Sequence, residues 1–148
     1  MQKARFVIVG LQTNRENAAA NPSEFDLNNL TDVKLYLQNK KYPYNSFNVN
    51  ETNNIFATLY DQYSFFQSSY YCGESYPMLN RDTFVKKSSV LVIDCSNQNE
   101  EIKFGALNIR IEFVSSANIA ANTMAFCLII HDRKVTYKPL SGIINNVI

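Results

Sequence analysis

One histidine and three cysteines carry most of the nucleophilic and metal-binding potential of this 148-residue chain. His131 closes an apolar run, and Cys72, Cys95 and Cys127 are scattered with no CxxC spacing. His131 with Cys95 or Cys127, oriented by Asp94 or Asp132, would make a Cys–His nucleophile pair. No flanking motif of a known nucleophile site accompanies these residues. The simpler expectation is a His131 that is solvated or bonded to backbone, with Cys95 and Cys127 filling apolar space. An odd cysteine count predicts unpaired thiols and a reducing compartment. One histidine excludes the two-His, one-carboxylate iron site, and zinc-knuckle spacing is missing. With four glycines, neither GxGxxG nor GxxxxGK[ST] can be written. The expectation is therefore no catalytic residue, no cofactor-binding residue, no metal site and no cofactor: not an enzyme.

The basic pairs Lys40-Lys41 and Lys86-Lys87 are too small for a phosphate-tracking surface, and the net charge is only +1. No sequence-specific contact with nucleic acid is expected. Two N-x-[ST] triplets, at Asn29 and Asn50, are of a kind that arises by chance in an Asn-rich chain. The most distinctive surface candidate is aromatic. Phe56, Tyr60, Tyr63, Phe66 and Tyr70 fall at helical spacing and make a stripe thicker than one helix needs to dock on a sheet. Tyr is enriched at interfaces, where an apolar body and a polar tip are both useful. These five residues are a candidate subunit interface, the alternative being core packing.

The elements that must position these residues follow from periodicity. Residues 5–11 (RFVIVGL) and 89–95 (SVLVIDC) are dense β-branched runs and read as buried strands. Residues 32–38 and 105–114 alternate apolar and polar, which predicts half-buried strands. In the second of these, Leu107, Ile109, Ile111 and Phe113 face one way, and Asn108, Arg110 and Glu112 the other. Residues 123–131 read as a core strand and 134–137 as a further one, with 131–134 as the turn between them. Pro43 makes 40–48 an edge strand or extended turn. Residues 12–31 read as a long polar loop. One helix is expected over 53–71, capped by Thr52 or Asn53 and closed by Cys72-Gly73, with Gly73 at the left-handed position. Residues 80–84 suggest a short helical turn.

Tyr plus Phe number 19 and Asn also 19. Aromatics favour strands, and Asn tolerates left-handed backbone, so Asn is expected to do loop work that Gly does elsewhere. The pattern predicts an all-β fold with one helix: a β-sandwich of two antiparallel sheets with Greek-key connections, since long links argue against a meander. Residues 1–148 read as one domain. The apolar stretch Phe6–Leu11 is too short for a signal core, and Met124–Ile130 is too short to span a bilayer. A soluble chain is expected. Its abrupt opening reads as a piece of something longer.

Six strings together carry a family resemblance: RFVIVGLQTNR (5–15), VKLYLQNKKYPY (33–44), LYDQYSFFQSSYY (59–71), VLVIDCSNQNE (90–100), IRIEFVSSANIAANTMAFCLIIHDR (109–133) and VTYKPLSGII (135–144). The chain resembles the C-terminal jelly roll of double jelly-roll major capsid proteins of the Polinton or adintovirus type. The resemblance implies a hexon-like structural protein with two stacked jelly rolls, of which this chain holds the second. Three subunits would form a pseudo-hexagonal capsomer of an icosahedral shell. The partners implied are copies of the protein itself, as a homotrimer, and other capsid proteins. The location implied is the virion, or otherwise the cytoplasm or nucleus. The alternative reading is a host-encoded, captured jelly-roll binding module that no longer builds capsids.

Overall fold

Alternating and β-branched segments become strands where their apolar faces find one another, and here they do so in two layers. The computed structural model describes residues 4–17, 19–74, 76–98, 108–132 and 134–147. In chain order these form β1 (Ala4–Thr13), β2 (Leu30–Leu37), β3 (Lys40–Tyr42), α1 (Ala57–Tyr71), α2 (Arg81–Lys87), β4 (Val90–Asp94), β5 (Ile109–Ser115), β6 (Thr123–His131), β7 (Lys134–Lys138) and β8 (Ile143–Val147). One sheet has the order β4-β1-β6, a second β3-β2-β5, and β7 and β8 form a separate hairpin. All pairings between strands are antiparallel. This is a jelly-roll-like β-sandwich, as expected, with two helices instead of one.

Val7, Val9 and Leu11 of β1, Val33, Leu35 and Leu37 of β2, and Leu91 and Ile93 of β4 meet in one buried cluster. Their odd-numbered spacing is the two-residue period of a strand with one face in the core. Phe6 lies on the other face of β1 and is buried too, because α1 covers it: the Phe6 and Phe66 rings meet edge to face at 4.9 Å. Both faces of β1 are therefore apolar, which is why its sequence reads as a continuous run. On sheet β3-β2-β5 the even-numbered face is wet. There Lys34 pairs with Glu112 at 3.7 Å, and the Arg110 guanidinium lies 4.3 Å from the centre of the Tyr36 ring.

Helix α1 starts later than the spacing suggests. Residues 51–54 form a turn closed by the Asn50–Ile55 bridge, and the Asn53 N–H donates to Asn50 Oδ1 at 3.0 Å. Thr52 and Asn53 thus belong to this turn, and Phe56 occupies the N-cap without a side-chain bond. At the other end Cys72, not Gly73, takes the left-handed conformation, with φ 53°. Helix α2 is longer than the expected turn; Asn80 Oδ1 accepts from the Thr83 N–H at 2.8 Å.

The link between β1 and β2 is pinned along its length. The Asp26 N–H donates to the Leu11 carbonyl at 2.8 Å, and Asp26 Oδ2 accepts from the Thr13 N–H at 2.9 Å. Buried Gln12 donates from Nε2 to the Pro22 and Glu24 carbonyls at 2.7 and 3.0 Å. Gly10 leaves room for Phe25, whose ring carbon would lie 2.5 Å from a Cβ at that position. Asn does take over glycine's role. Among the described residues, six of the eight non-glycine positions with positive φ are Asn: 14, 28, 29, 48, 54 and 122.

Two expected elements fall partly outside the described residues. The strand expected over 105–114 is seen as β5, and 105–107 lie outside the described residues, as does Arg133 in the expected 131–134 turn. The chain also adds β8, which the polar Asn145-Asn146 pair hides from pattern reading; it folds back on β7 through a turn in which Gly142 adopts φ 65° and its N–H donates to the Lys138 carbonyl at 2.9 Å.

Candidate interaction surfaces

Helical spacing brings the aromatic stripe to one side of α1, and that side faces the chain's own interior. Phe56 is buried beneath the Arg81 guanidinium. Tyr63 stacks on Phe84 of α2 at 4.5 Å, and Tyr60 meets the same ring at 5.6 Å. The Tyr60 hydroxyl donates to the Leu79 carbonyl at 3.0 Å. Phe66 is held between Phe6 and Tyr70. Within the chain the stripe thus locks α1 to β1 and α2. Of the five, Tyr70 reaches the surface, against the ring of Tyr71, which is 71% exposed.

The nucleophile candidates are held apart. Cys127 and His131 are four residues apart on β6, which places them roughly 13 Å apart along an extended strand. Cys95 is buried, with its thiol on the Ile93 carbonyl at 3.7 Å. Burial, and then the neighbouring Asp94 carboxylate, push this thiol up to about 12, so it stays protonated at neutral pH. Asp94 accepts from the Ser96 N–H at 2.8 Å, and Asp132 pairs with Arg5 at 3.5 Å, so both carboxylates serve local structure. All three cysteines are free thiols. Among the described residues no group of three His, Cys, Asp or Glu side chains could hold a metal ion. No helix among them is long and apolar enough to cross a membrane.

The basic pairs separate as well. Lys86 and Lys87 sit in the last turn of α2, where positive charge complements the helix dipole. Lys40 and Lys41 line an open cleft of about 700 Å³ together with Tyr44, Phe65 and Asp94.

An exposed apolar surface lies on the side of the sandwich bounded by β5 and β6. Ala125, Cys127 and Ile129 stand opposite Leu11, Val9 and Val7, so they share the core face of β1. Ile109, Ile111 and Phe113 stand opposite Leu37, Leu35 and Val33. The β1 and β2 members are buried, yet residues 124–128 are all exposed and Phe113 is exposed too. The expectation of a core strand over 123–131 is therefore corrected. β6 has a core strand's sequence, but among the described residues nothing pairs with its outer edge. Sequence pattern could not reveal this, because alternation is the same on an edge strand and a central one; counting strands per sheet was the only available signal. On the β3–β4 side, by contrast, the Tyr42 hydroxyl donates across to the Asn97 carbonyl at 3.5 Å.

Two antiparallel sheets wrapped with long connections agree with what comparison with protein families returns. A model described as the double jelly roll-like domain matches residues 1–135. The chain belongs to the double jelly roll-like domain family. No curated protein and no solved structure matches it. The double jelly roll-like domain is typical of capsid proteins, and such domains are typically structural.

Proposed function

We propose that this domain belongs to a structural capsid protein, viral or from a virus-derived integrated element of the Polinton/adintovirus type. Its parent self-assembles as a homotrimer into pseudo-hexagonal capsomers of an icosahedral shell. It does no chemistry, and its partners are copies of itself and other capsid proteins of the virion. The observation that carries the reading is the family match over residues 1–135. The exposed apolar side chains outside the sandwich support it. Val135, Tyr137, Ile143 and Ile144 of the β7–β8 hairpin are each half exposed or more, and a lone two-stranded hairpin is marginal in water without a surface to lie on. Tyr70 and Tyr71 at the end of α1 add the amphipathic rings common at subunit contacts.

Sedimentation and electron microscopy of the full translation product of the gene test this reading. Trimers and shell-like assemblies are the expected result. A product that stays strictly monomeric at high concentration overturns it and favours the captured binding module.

A further inference from the structure

On the side of the sandwich where β3 and β4 end their sheets, three parts of the chain leave the cleft of about 700 Å³ between them. Lys40 and Lys41 come from β3, and Tyr44 follows that strand. Gln62 and Phe65 come from α1, and Asp94 ends β4. The Tyr42 hydroxyl, bonded to the Asn97 carbonyl at 3.5 Å, ties the β3 wall to the chain after β4. The volume falls in the range of roughly 300–1,000 Å³ that small-molecule sites occupy. We propose that this cleft binds a nucleotide: its phosphate on Lys40 and Lys41, its base on the Tyr44 and Phe65 rings, and the donor edge of guanine on Asp94.

Three observations carry this. First, neither Lys40 nor Lys41 is in an ion pair among the described residues. An ammonium is a compact point charge suited to phosphate. Two of them are too few to track a nucleic-acid backbone but enough to hold one phosphate. Second, Tyr44 is 92% exposed and Phe65 51%. Among the described residues neither ring meets another ring, whereas Tyr60, Tyr63, Phe66 and Tyr70 of the same helix all do. The two open faces are platforms of the kind on which bases stack.

Third, Asp94 selects the ligand. Its Oδ1 accepts from the Ser96 N–H at 2.8 Å, and Oδ2 has no bond among the described residues. A carboxylate beside two ammoniums disfavours a bare anion, so the ligand must bring N–H donors as well as negative charge. Guanine presents two neighbouring donors, N1–H and the N2 amino group, which match the two oxygens of a carboxylate. Each oxygen has two lone pairs, so the Ser96 bond is kept. The same chemistry is offered by a free guanine nucleotide and by one guanine unit of a single strand.

The test is titration calorimetry on the full translation product of the gene. The probes are GMP, AMP, inorganic phosphate, and two short thymidine strands carrying one central guanine or one central adenine. A guanine ligand is expected to bind with a dissociation constant of roughly 0.1–1 mM, at least about tenfold tighter than inorganic phosphate or its adenine counterpart. GMP binding as well as the guanine strand assigns the free nucleotide; binding by the guanine strand alone assigns the strand. Lys40→Ala with Lys41→Ala is expected to weaken binding at least about tenfold, since each removes a charge-assisted contact. Tyr44→Ala is expected to weaken it about fivefold or more. Asp94→Asn keeps an acceptor for Ser96 and should erase the preference for guanine over adenine. An unchanged thermal midpoint shows that these surface variants stay folded. The proposal is overturned if neither guanine ligand binds more tightly than its adenine counterpart and inorganic phosphate, or if binding survives the double lysine change. Shells can form with the cleft empty, so such a failure leaves the capsid reading standing.

Discussion

Val9 on β1 and Cys127 on β6 are directly paired across the sheet on the same face, yet Val9 is wholly buried and Cys127 is exposed. A distance of one strand, about 4.8 Å, separates interior from surface. On that side the fully buried core ends at β1 and β2, with Ile109 and Ile111 of β5 and Ile129 of β6 packed half-buried against it.

Truncation should map that boundary. Leu59 is the one residue of α1 that is fully buried, and it belongs to the central cluster. Leu59→Ala is expected to cost about 2–4 kcal/mol, as buried Leu truncations do. Leu128→Ala, at a side chain 59% exposed, is expected to change stability by less than about 0.5 kcal/mol. Urea midpoints of the two variants check the contrast; equal losses would show that β6 is packed.

Asn28 clamps three segments. Its Nδ2 donates to Thr13 Oγ1 at 2.9 Å and to Thr123 Oγ1 at 2.7 Å, and its Oδ1 accepts from the Ala120 N–H at 3.0 Å, all at φ 53°. Asn28→Ala removes the bonds and places a Cβ residue with no compensating side chain in the left-handed region, so a loss of about 2–3 kcal/mol is expected. Asn28→Gly relieves the backbone but not the bonds and should lose less. Thermal unfolding of the pair separates the two contributions.

Cys72 closes α1 at φ 53°, where glycine has no steric cost. Cys72→Gly is expected to raise stability by about 0.5–1 kcal/mol, less the entropy glycine adds to the unfolded chain. A lowered denaturation midpoint would show that the Cys72 side chain does more than cap.

Cys95 predicts an alkaline limb. Its folded value is raised from 9.0 to about 12, so the unfolded chain gives up this proton first as pH rises. The stabilisation is full below pH 9 and is lost as pH climbs toward 12, at up to about 1.4 kcal/mol per pH unit. Cys95→Ala should be less stable than the parent at pH 7, through the lost packing, and the gap should narrow above pH 9. Denaturation at pH 7, 9 and 10.5 measures it; a gap that is constant across this range would show the thiol is not shielded.

Gly10 tests the docking of the β1–β2 link. Gly10→Ala drives a methyl group into the Phe25 ring. The expected loss is about 1–3 kcal/mol, the usual cost of overpacking. Limited proteolysis should show faster cutting between residues 14 and 24 in the variant.

The strands β1, β2, β4, β5, β6 and β7, the helix α1 and the use of Asn in place of Gly in left-handed backbone were legible in the chain itself. Each rests on a local rule: a two-residue or 3.6-residue side-chain period set by backbone geometry, or the tolerance of one residue type for positive φ. Tertiary structure alone decided which side of the aromatic stripe met Phe6 and Phe84, and that Cys72 turns the helix end while Gly73 does not. It alone placed Asn28 between Thr13 and Thr123, 95 positions apart at the farther bond. It alone showed that β6, with the sequence of an interior strand, lies at a sheet edge. Burial is a property of what stands across a gap, and the groups that stand there come from distant parts of the chain, so no local period can report it.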